Sequence, residues 1–317
     1  MQTQITKRPL IILTGPTAIG KTALSLKLAK AVNGEIISAD SMQVYQLMDI
    51  GTAKITPEEM EGIPHYLIDV LEPMKDFNVV IFQKMAQKAM EEIYAKGKIP
   101  IITGGTGFYI QALLYDISFE ETEVSAYREE LAAYYKKHGA HALHERLREI
   151  DPVSYKEIHE NNIKRVIRAL EFYHDTGYPI SKHNTEQKKK ESPYQFVYFV
   201  LNDDRTLLYE RIEKRVDEMM RQGLVEEVRK LLEYGCTKDM VSMQGLGYKE
   251  IIPYLDGKCS LEEAVYILKR DTRHFAKRQL TWFRREKDVT WIEKSLYDSE
   301  EEMLQSMLEA LSKKHII

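Results

Sequence analysis

Residues 15–22 read "GPTAIGKT", a full match to G-x-x-x-x-G-K-[ST], a string that folds into a phosphate cradle only between a strand and a helix. Both flanks are present. Residues 9–14 are apolar and β-rich, and "TALSLKLAKAV" spaces Leu24, Leu28 and Val32 as a helix before the turn at Asn33-Gly34. In such a loop Gly15 and Gly20 let backbone N–H groups curl around an anion at a helix N-terminus, with Pro16, Thr17, Ala18 and Ile19 between them. Lys21 supplies a point charge and the Thr22 hydroxyl a ligand for magnesium. A phosphorylated ligand, nucleotide or diphosphate, is implied. The loop does not say whether phosphate is transferred or leaves as pyrophosphate.

The same strand-to-helix step recurs. "GEIISADS" opens a second short strand, and "KIPIITGGTGFYI" runs a buried strand into a second glycine turn and a helix. This alternation predicts an α/β fold: a P-loop NTPase-like parallel sheet flanked by helices. Ligands of such sheets sit at the carboxyl ends of the strands, so both glycine loops and the turn at Asp40 should converge on one crevice. From 118 to 190 the strand signal disappears, which predicts an inserted all-helical domain, with 1–117 and 191–317 forming the core. The core resumes at "YQFVYFVLN", read as an alternating strand. A helix follows, capped by Asp203 or Asp204, with Leu208, Ile212, Val216 and Met219 on one stripe and Gly223 as terminator. The remainder reads as helices, and the acidic "DSEEEM" as solvated surface.

With 317 residues, 44% of them hydrophobic, the chain has enough apolar material for a proper core, which excludes a disordered protein. Its two cysteines, Cys236 and Cys259, imply neither a disulfide framework nor a zinc module, and fit a reducing, cytoplasmic setting. No apolar stretch near the N-terminus is long enough for a leader or a membrane span, so a soluble protein without a membrane partner is expected. The net charge of -4 argues against a protein that coats nucleic acid, yet two segments are basic. In 161–190, Lys164, Arg165, Arg168, Lys182, Lys188, Lys189 and Lys190 outnumber Glu171, Asp175 and Glu186; in 269–285 only Asp271 opposes Lys269, Arg270, Arg273, Lys277, Arg278, Arg284 and Arg285. Each run alone is an ordinary solvated face. Two of them, with embedded aromatics, point to a polyanion.

Individual residues leave alternatives open. Asp40 is placed where a kinase holds a base or metal ligand, but a turn aspartate is the commoner fate. Ser41 and Gln43 offer donors and acceptors for a purine edge. Thr106 stands at a helix start, as a substrate contact or a simple cap. Arg211 and Arg215, four apart, can reach an anion together or stay solvated. His141 and His144 have no further ligand at metal spacing and read as surface helix.

The ordered set "GPTAIGKT", "ISADSMQVY", "GTAK", "LIDV", "GGTGFYI", "NNIKRVIRALE", "RVDEMMRQGLVEEV", "QGLGYKE" and "AKRQLTWFR" resembles the bacterial tRNA dimethylallyltransferase (isopentenyl-tRNA transferase) family over nearly the whole chain. The resemblance implies transfer of a dimethylallyl group from dimethylallyl diphosphate to the exocyclic amine of the adenosine 3′ of the anticodon, with Mg2+. Asp40 matches the family's general base, while Lys21, Thr17, Thr22 with magnesium, the loop N–H groups and Arg215 would stabilise the departing diphosphate. Asp40, Ser41, Met42, Gln43, Thr106, the run Lys164, Arg165, Val166, Ile167, Arg168 and the run Gln244, Gly245, Leu246, Gly247, Tyr248, Lys249 would line the tRNA path, joined by Arg128. The target base is expected to flip in, with Gln43 reading its edge or neighbour, and the insertion and "AKRQLTWFR" to grip backbone phosphates. Ile19 stands where the family often has a smaller residue, and the zinc finger of eukaryotic relatives is lacking, which implies the shorter bacterial type, acting as a monomer on the anticodon stem-loop. Two rivals share parts of this pattern: an adenylate isopentenyltransferase, which would hardly need the insertion, and a small-molecule P-loop kinase, for which both basic runs are surplus.

Overall fold

The computed structural model describes residues 7–119, 126–187 and 189–317; Lys188 of the first basic run lies outside them. Backbone contacts divide the chain into two units, Met1–Leu114 with Pro193–Ile317, and Tyr115–Ser192. In chain order the first unit opens with β1 (Arg8–Thr14), α1 (Lys21–Val32), β2 (Gly34–Ser38), β3 (His65–Tyr66), α2 (Val79–Ala95), β4 (Ile99–Gly104) and α3 (Gly107–Leu114). The second unit holds α4 (Ala126–Glu145), broken at Gly139, then α5 (Leu147–Ile150), α6 (Pro152–Glu157), α7 (Ile163–Thr176) and α8 (Ile180–Gln187). The first unit resumes with β5 (Tyr194–Asn202), α9 (Arg205–Gln222), α10 (Leu224–Glu233), α11 (Tyr248–Leu255), α12 (Leu261–Phe283), β6 (Val289–Glu293) and α13 (Glu300–Lys313).

Six parallel strands form one sheet in the order β3-β2-β4-β1-β5-β6. Helices cover both faces of β1, which is why Leu10 to Leu13 are all 0% exposed and the strand reads as a continuous apolar run. The same burial corrects the reading of β5 as an alternating strand: Val197 to Leu201 are buried without a break. β6 corrects the expectation of a purely helical end, and "DSEEEM" becomes the first turn of α13, capped by the Ser299 side chain. There Glu300 and Glu301 pair with Lys27, while Met303, Met307 and Leu311 are buried beneath. On α9 the cap is Asp204, the terminator Gly223, and Leu208, Ile212 and Val216 are buried; Met219 is half-buried.

Register decides where the site lies. Ser38 of β2 is opposite Thr103 of β4, and Thr14 of β1 is opposite Gly104, so three neighbouring strands end at one level. The loops they feed carry Asp40 and Thr106 and lead into Lys21, the first residue of α1. The Ala39 N–H donates to the Thr103 carbonyl (2.7 Å) and the Thr106 N–H to the Ala39 carbonyl (3.2 Å), lacing the β2 and β4 loops together.

The helical unit has its own core of Leu131, Leu143, Leu147, Val166, Ala169 and Leu170. His144 is buried in it, its Nε2 2.8 Å from the Ile158 carbonyl, which corrects its reading as surface helix; His141 is exposed beside Glu160. No helix among the described residues is long and apolar enough to cross a membrane.

Candidate active site

The loop 15–20 leads from β1 into α1, with Ala18 (φ 61°) and Gly20 (φ 96°) in the left-handed region that turns successive N–H groups toward one side. No side chain caps α1, so its first N–H groups keep their positive end for an anion. Lys21 folds back, donating to the carbonyls of Gly15 (3.0 Å) and Pro16 (2.8 Å). The residue is half-buried, but its ammonium end is enclosed. Burial, and then the charge of Arg215, push its pKa down to about 7, with Asp40 alone opposing. Ile19 is fully buried, packing into the sheet core rather than into the cradle.

Asp40 is half-buried at the end of β2. Its Oδ1 accepts the N–H of Met42 (2.8 Å) and of Gln43 (3.4 Å), so the turn role is real. It does not exhaust the carboxylate: Asp40 also acts electrostatically on Lys21, Arg215 and Tyr109. Burial lowers the pKa of Arg215, again opposed by Asp40. A carboxylate that acts on two cations close to a loop of N–H groups is chemistry suited to holding an anion and accepting a proton. Arg211 does not join them. It is paired with Asp203.

The β4 loop owes its glycines to close approach. A Cβ on Gly105 would stand 2.1 Å from Gln279 Nε2, and one on Gly107 2.2 Å from the Trp282 ring. Both partners lie on α12, so "GGTG" is the surface against which that helix packs. Thr106 provides the carbonyl that begins α3, while among the described residues its half-buried hydroxyl makes no cap bond.

A metal here would find the hydroxyl of Thr22. Thr22 is exposed at the start of α1, and the described residues contain no group of three or more His, Cys, Asp or Glu that could hold an ion. That donor set fits magnesium, which keeps its waters and takes substrate phosphate oxygens in preference to a protein cage.

The family model described as IPP transferase matches residues 43–286. The tRNA dimethylallyltransferase of Lachnoclostridium phytofermentans is 62% identical over 98% of this chain and 99% of its own length. The chain belongs to the IPP transferase family. Among solved structures, the full-length tRNA isopentenylpyrophosphate transferase of Bacillus halodurans is 44% identical, covers 98% of both chains and superposes with a TM-score of 0.73. A eukaryotic dimethylallyltransferase acting on tRNA, 29% identical, covers 98% of this chain and 79% of its own, with a TM-score of 0.82. Neither rival reading is favoured by these relatives.

Within this IPP transferase the residues expected along the tRNA path divide sharply. Lys164 and Arg165 are exposed on α7, but Val166 is 0% exposed and Ile167 packs on the same core, so their side chains hold the helix. Arg128 and Arg168 are spent on Glu171, itself only 1% exposed: Arg128 donates from Nε (2.9 Å) and Nη2 (2.6 Å), Arg168 from Nη1 (3.4 Å). Both side chains therefore have a structural role in the helical unit, while remaining partly exposed, Arg128 by 46% and Arg168 by 35%. Gln43 is likewise engaged, donating to the carbonyls of Thr52 and Ala53 (3.3 Å each) and accepting from the Ser38 hydroxyl (3.2 Å). Ser41 and Met42 are half-buried, and Met42 packs against Gly245, which joins "ADSMQ" to "QGLGYK".

Of residues 244–249, Gln244 and Lys249 are exposed, Leu246 is half-buried, and Gly245, Gly247 and Tyr248 are buried. Tyr248 serves an unforeseen cradle. Its hydroxyl donates to Glu227 (2.7 Å), whose carboxylate also accepts the N–H groups of Asp49 (2.9 Å), Ile50 (2.7 Å) and Gly51 (3.0 Å). Of the basic run along α12 and just past its end, Lys269, Arg270 and Arg273 are paired with Asp217, Asp271 and Glu213, while Lys277, Arg278, Arg284 and Arg285 are exposed. Two side chains at the loop were absent from the sequence reading: Lys294, whose Nζ donates to the Ile19 carbonyl (3.2 Å), and Gln279. Gln279 had a signal, a polar residue on the stripe Thr272, Ala276, Phe283 that is otherwise read as core.

Proposed function

We propose that this IPP transferase moves the dimethylallyl group of dimethylallyl diphosphate onto the exocyclic amine of the adenosine 3′ of the anticodon in tRNA, releasing diphosphate. The single observation that carries the reading is that Asp40, where β2 ends, acts electrostatically on both Lys21 and Arg215, with Lys21 itself bonded to the anion loop at Gly15 and Pro16. In the reaction the C–O bond of the donor breaks, a C–N bond forms, and the amine proton passes to the Asp40 carboxylate. The adenine amine is a poor nucleophile because its lone pair is delocalised, so a base acting as the bond forms is worth about 10²- to 10⁴-fold.

The larger share comes from holding charge on the leaving diphosphate. Lys21 and Arg215, the N–H groups at 15–22 and the Thr17 hydroxyl supply it from the protein. Thr22 would hold magnesium, which supplies further neutralisation of the leaving group when bound. In this reading the cradle serves the prenyl diphosphate, not ATP. An adenine stacked in an anticodon loop must flip out to reach Asp40, at a cost of a few kcal/mol. Ser41, Thr106, Gln244 and Lys249 meet the acceptor strand in the first unit; Lys164 and Arg165 on the helical unit, and Lys277 and Arg278 on α12 with Arg284 and Arg285 just past it, take backbone phosphates. The setting is the cytoplasm, and the acting species a monomer.

The test is incubation of the protein with carbon-labelled dimethylallyl diphosphate, magnesium and unmodified tRNA, followed by digestion to nucleosides. Label in a modified adenosine is the expected result. Label that never enters nucleoside, with phosphate passed to an acceptor instead, would replace this reading with phosphoryl transfer.

A further inference from the structure

Gln279 is 6% exposed on the inward stripe of α12, where its neighbours Ala276 and Phe283 are apolar. An amide in that position costs stability unless all its polar atoms are matched. Here both ends are. Oε1 accepts the Thr17 N–H (2.9 Å) and Nε2 donates to the Gly105 carbonyl (3.0 Å). Only one orientation of the amide satisfies a donor on one side and an acceptor on the other, so the side chain cannot flip without losing both bonds.

The two atoms it joins belong to different loops. Thr17 lies in the anion loop after β1, and Gly105 stands immediately before Thr106 in the loop after β4. Gly105 also has to be glycine for the contact to exist, since a Cβ would occupy the amide's position. We propose that Gln279 is a positioning residue for the transfer reaction: its amide fixes the spacing between the loop that grips the leaving diphosphate and the loop that meets the acceptor base. The inference rests on the transferase reading above. Reacting atoms must be held about 3–3.5 Å apart, so slack between these loops reduces turnover while leaving the affinity for either substrate nearly intact.

The test compares wild type, Gln279→Leu and Gln279→Glu in kcat and KM for dimethylallyl diphosphate, from about pH 6 to about pH 8.5, with thermal unfolding alongside. Gln279→Leu removes both bonds at similar volume; kcat should fall about 100-fold with KM changed less than about threefold. Gln279→Glu carries the same donor and acceptor only when protonated, whereas its ionised form opposes the Gly105 carbonyl. Its activity as a ratio to wild type should therefore climb as pH falls. A merely structural role would lower activity only in step with the thermal midpoint, in both variants and at each pH, rather than lowering kcat in enzyme that remains folded. A flat ratio, or a Gln279→Leu enzyme with wild-type kcat, overturns the inference while the transferase reading stands; should Gln279→Leu fail to fold, the Gln279→Glu ratio decides. Wild type that transfers no prenyl group at any pH overturns the reading itself and the inference with it.

Discussion

The buried phenol of Tyr248 donates to the carboxylate of Glu227 at 2.7 Å, and through that carboxylate it governs a loop two hundred residues away in sequence, the backbone at Asp49, Ile50 and Gly51. The chain of contacts continues. Residues 52 and 53 present their carbonyls to Gln43, and the Gln43 N–H closes the turn on Asp40. Tyr248 thus bears on the candidate base without touching a substrate. Tyr248→Phe should cost about 1.5 kcal/mol, one hydrogen bond to a charged group, whereas Glu227→Ala leaves three N–H groups unmatched and should cost about 2–4 kcal/mol. Urea unfolding of the two variants measures the difference.

Lys21 makes the anion loop a proton-linked site. Its pKa of about 7 in the free protein rises when an anion arrives, because the bound charge favours the ammonium. Below about pH 6 the lysine is already charged, and above about pH 8 it must take up a proton on binding. Titration calorimetry with diphosphate, in buffers of different ionisation heat, should show uptake approaching one proton at the higher pH and little at the lower. Lys21→Met should abolish it. For the unliganded fold the sign is the reverse of an ion pair: the folded pKa lies below the unfolded one, so stability rises as pH climbs from about 7 toward about 10.

The basic residues of the helical unit should separate into two classes. Arg128→Ala strips the principal partner from buried Glu171, and should lower stability by about 2 kcal/mol, less than for a fully buried pair because Arg128 is 46% exposed. Lys164→Ala with Arg165→Ala should leave unfolding unchanged, weaken tRNA binding, and reduce the salt slope by about one to two counterions. Binding isotherms at several salt concentrations distinguish the classes.

The sheet, the level of its three loops and the helical unit were legible because each rests on local pattern: apolar runs ending in glycine, helical spacing, caps. β3 and β6 were not, being short strands at the two edges with half-exposed residues. In the site, Lys21 and Asp40 announce themselves through the strand-end context around them. Glu227, Gln279 and Glu171 do not, because each takes its meaning from a partner distant in sequence, and a carboxylate or amide on a helix looks the same whether it faces water or a backbone. The pairing of Arg128 and Arg168 with Glu171 was illegible for that reason: a cation carries no local mark of the buried acid it meets.

The central claim, that Asp40 takes the proton from the acceptor amine, is tested most directly by Asp40→Asn in single-turnover transfer from dimethylallyl diphosphate to tRNA. Asparagine keeps the oxygen that holds the Met42 and Gln43 N–H groups, so the turn survives and only the base is lost. The account predicts transfer slowed by about 10²- to 10⁴-fold, with tRNA affinity within about twofold of wild type. An Asp40→Asn enzyme that prenylates tRNA at the wild-type rate would contradict it.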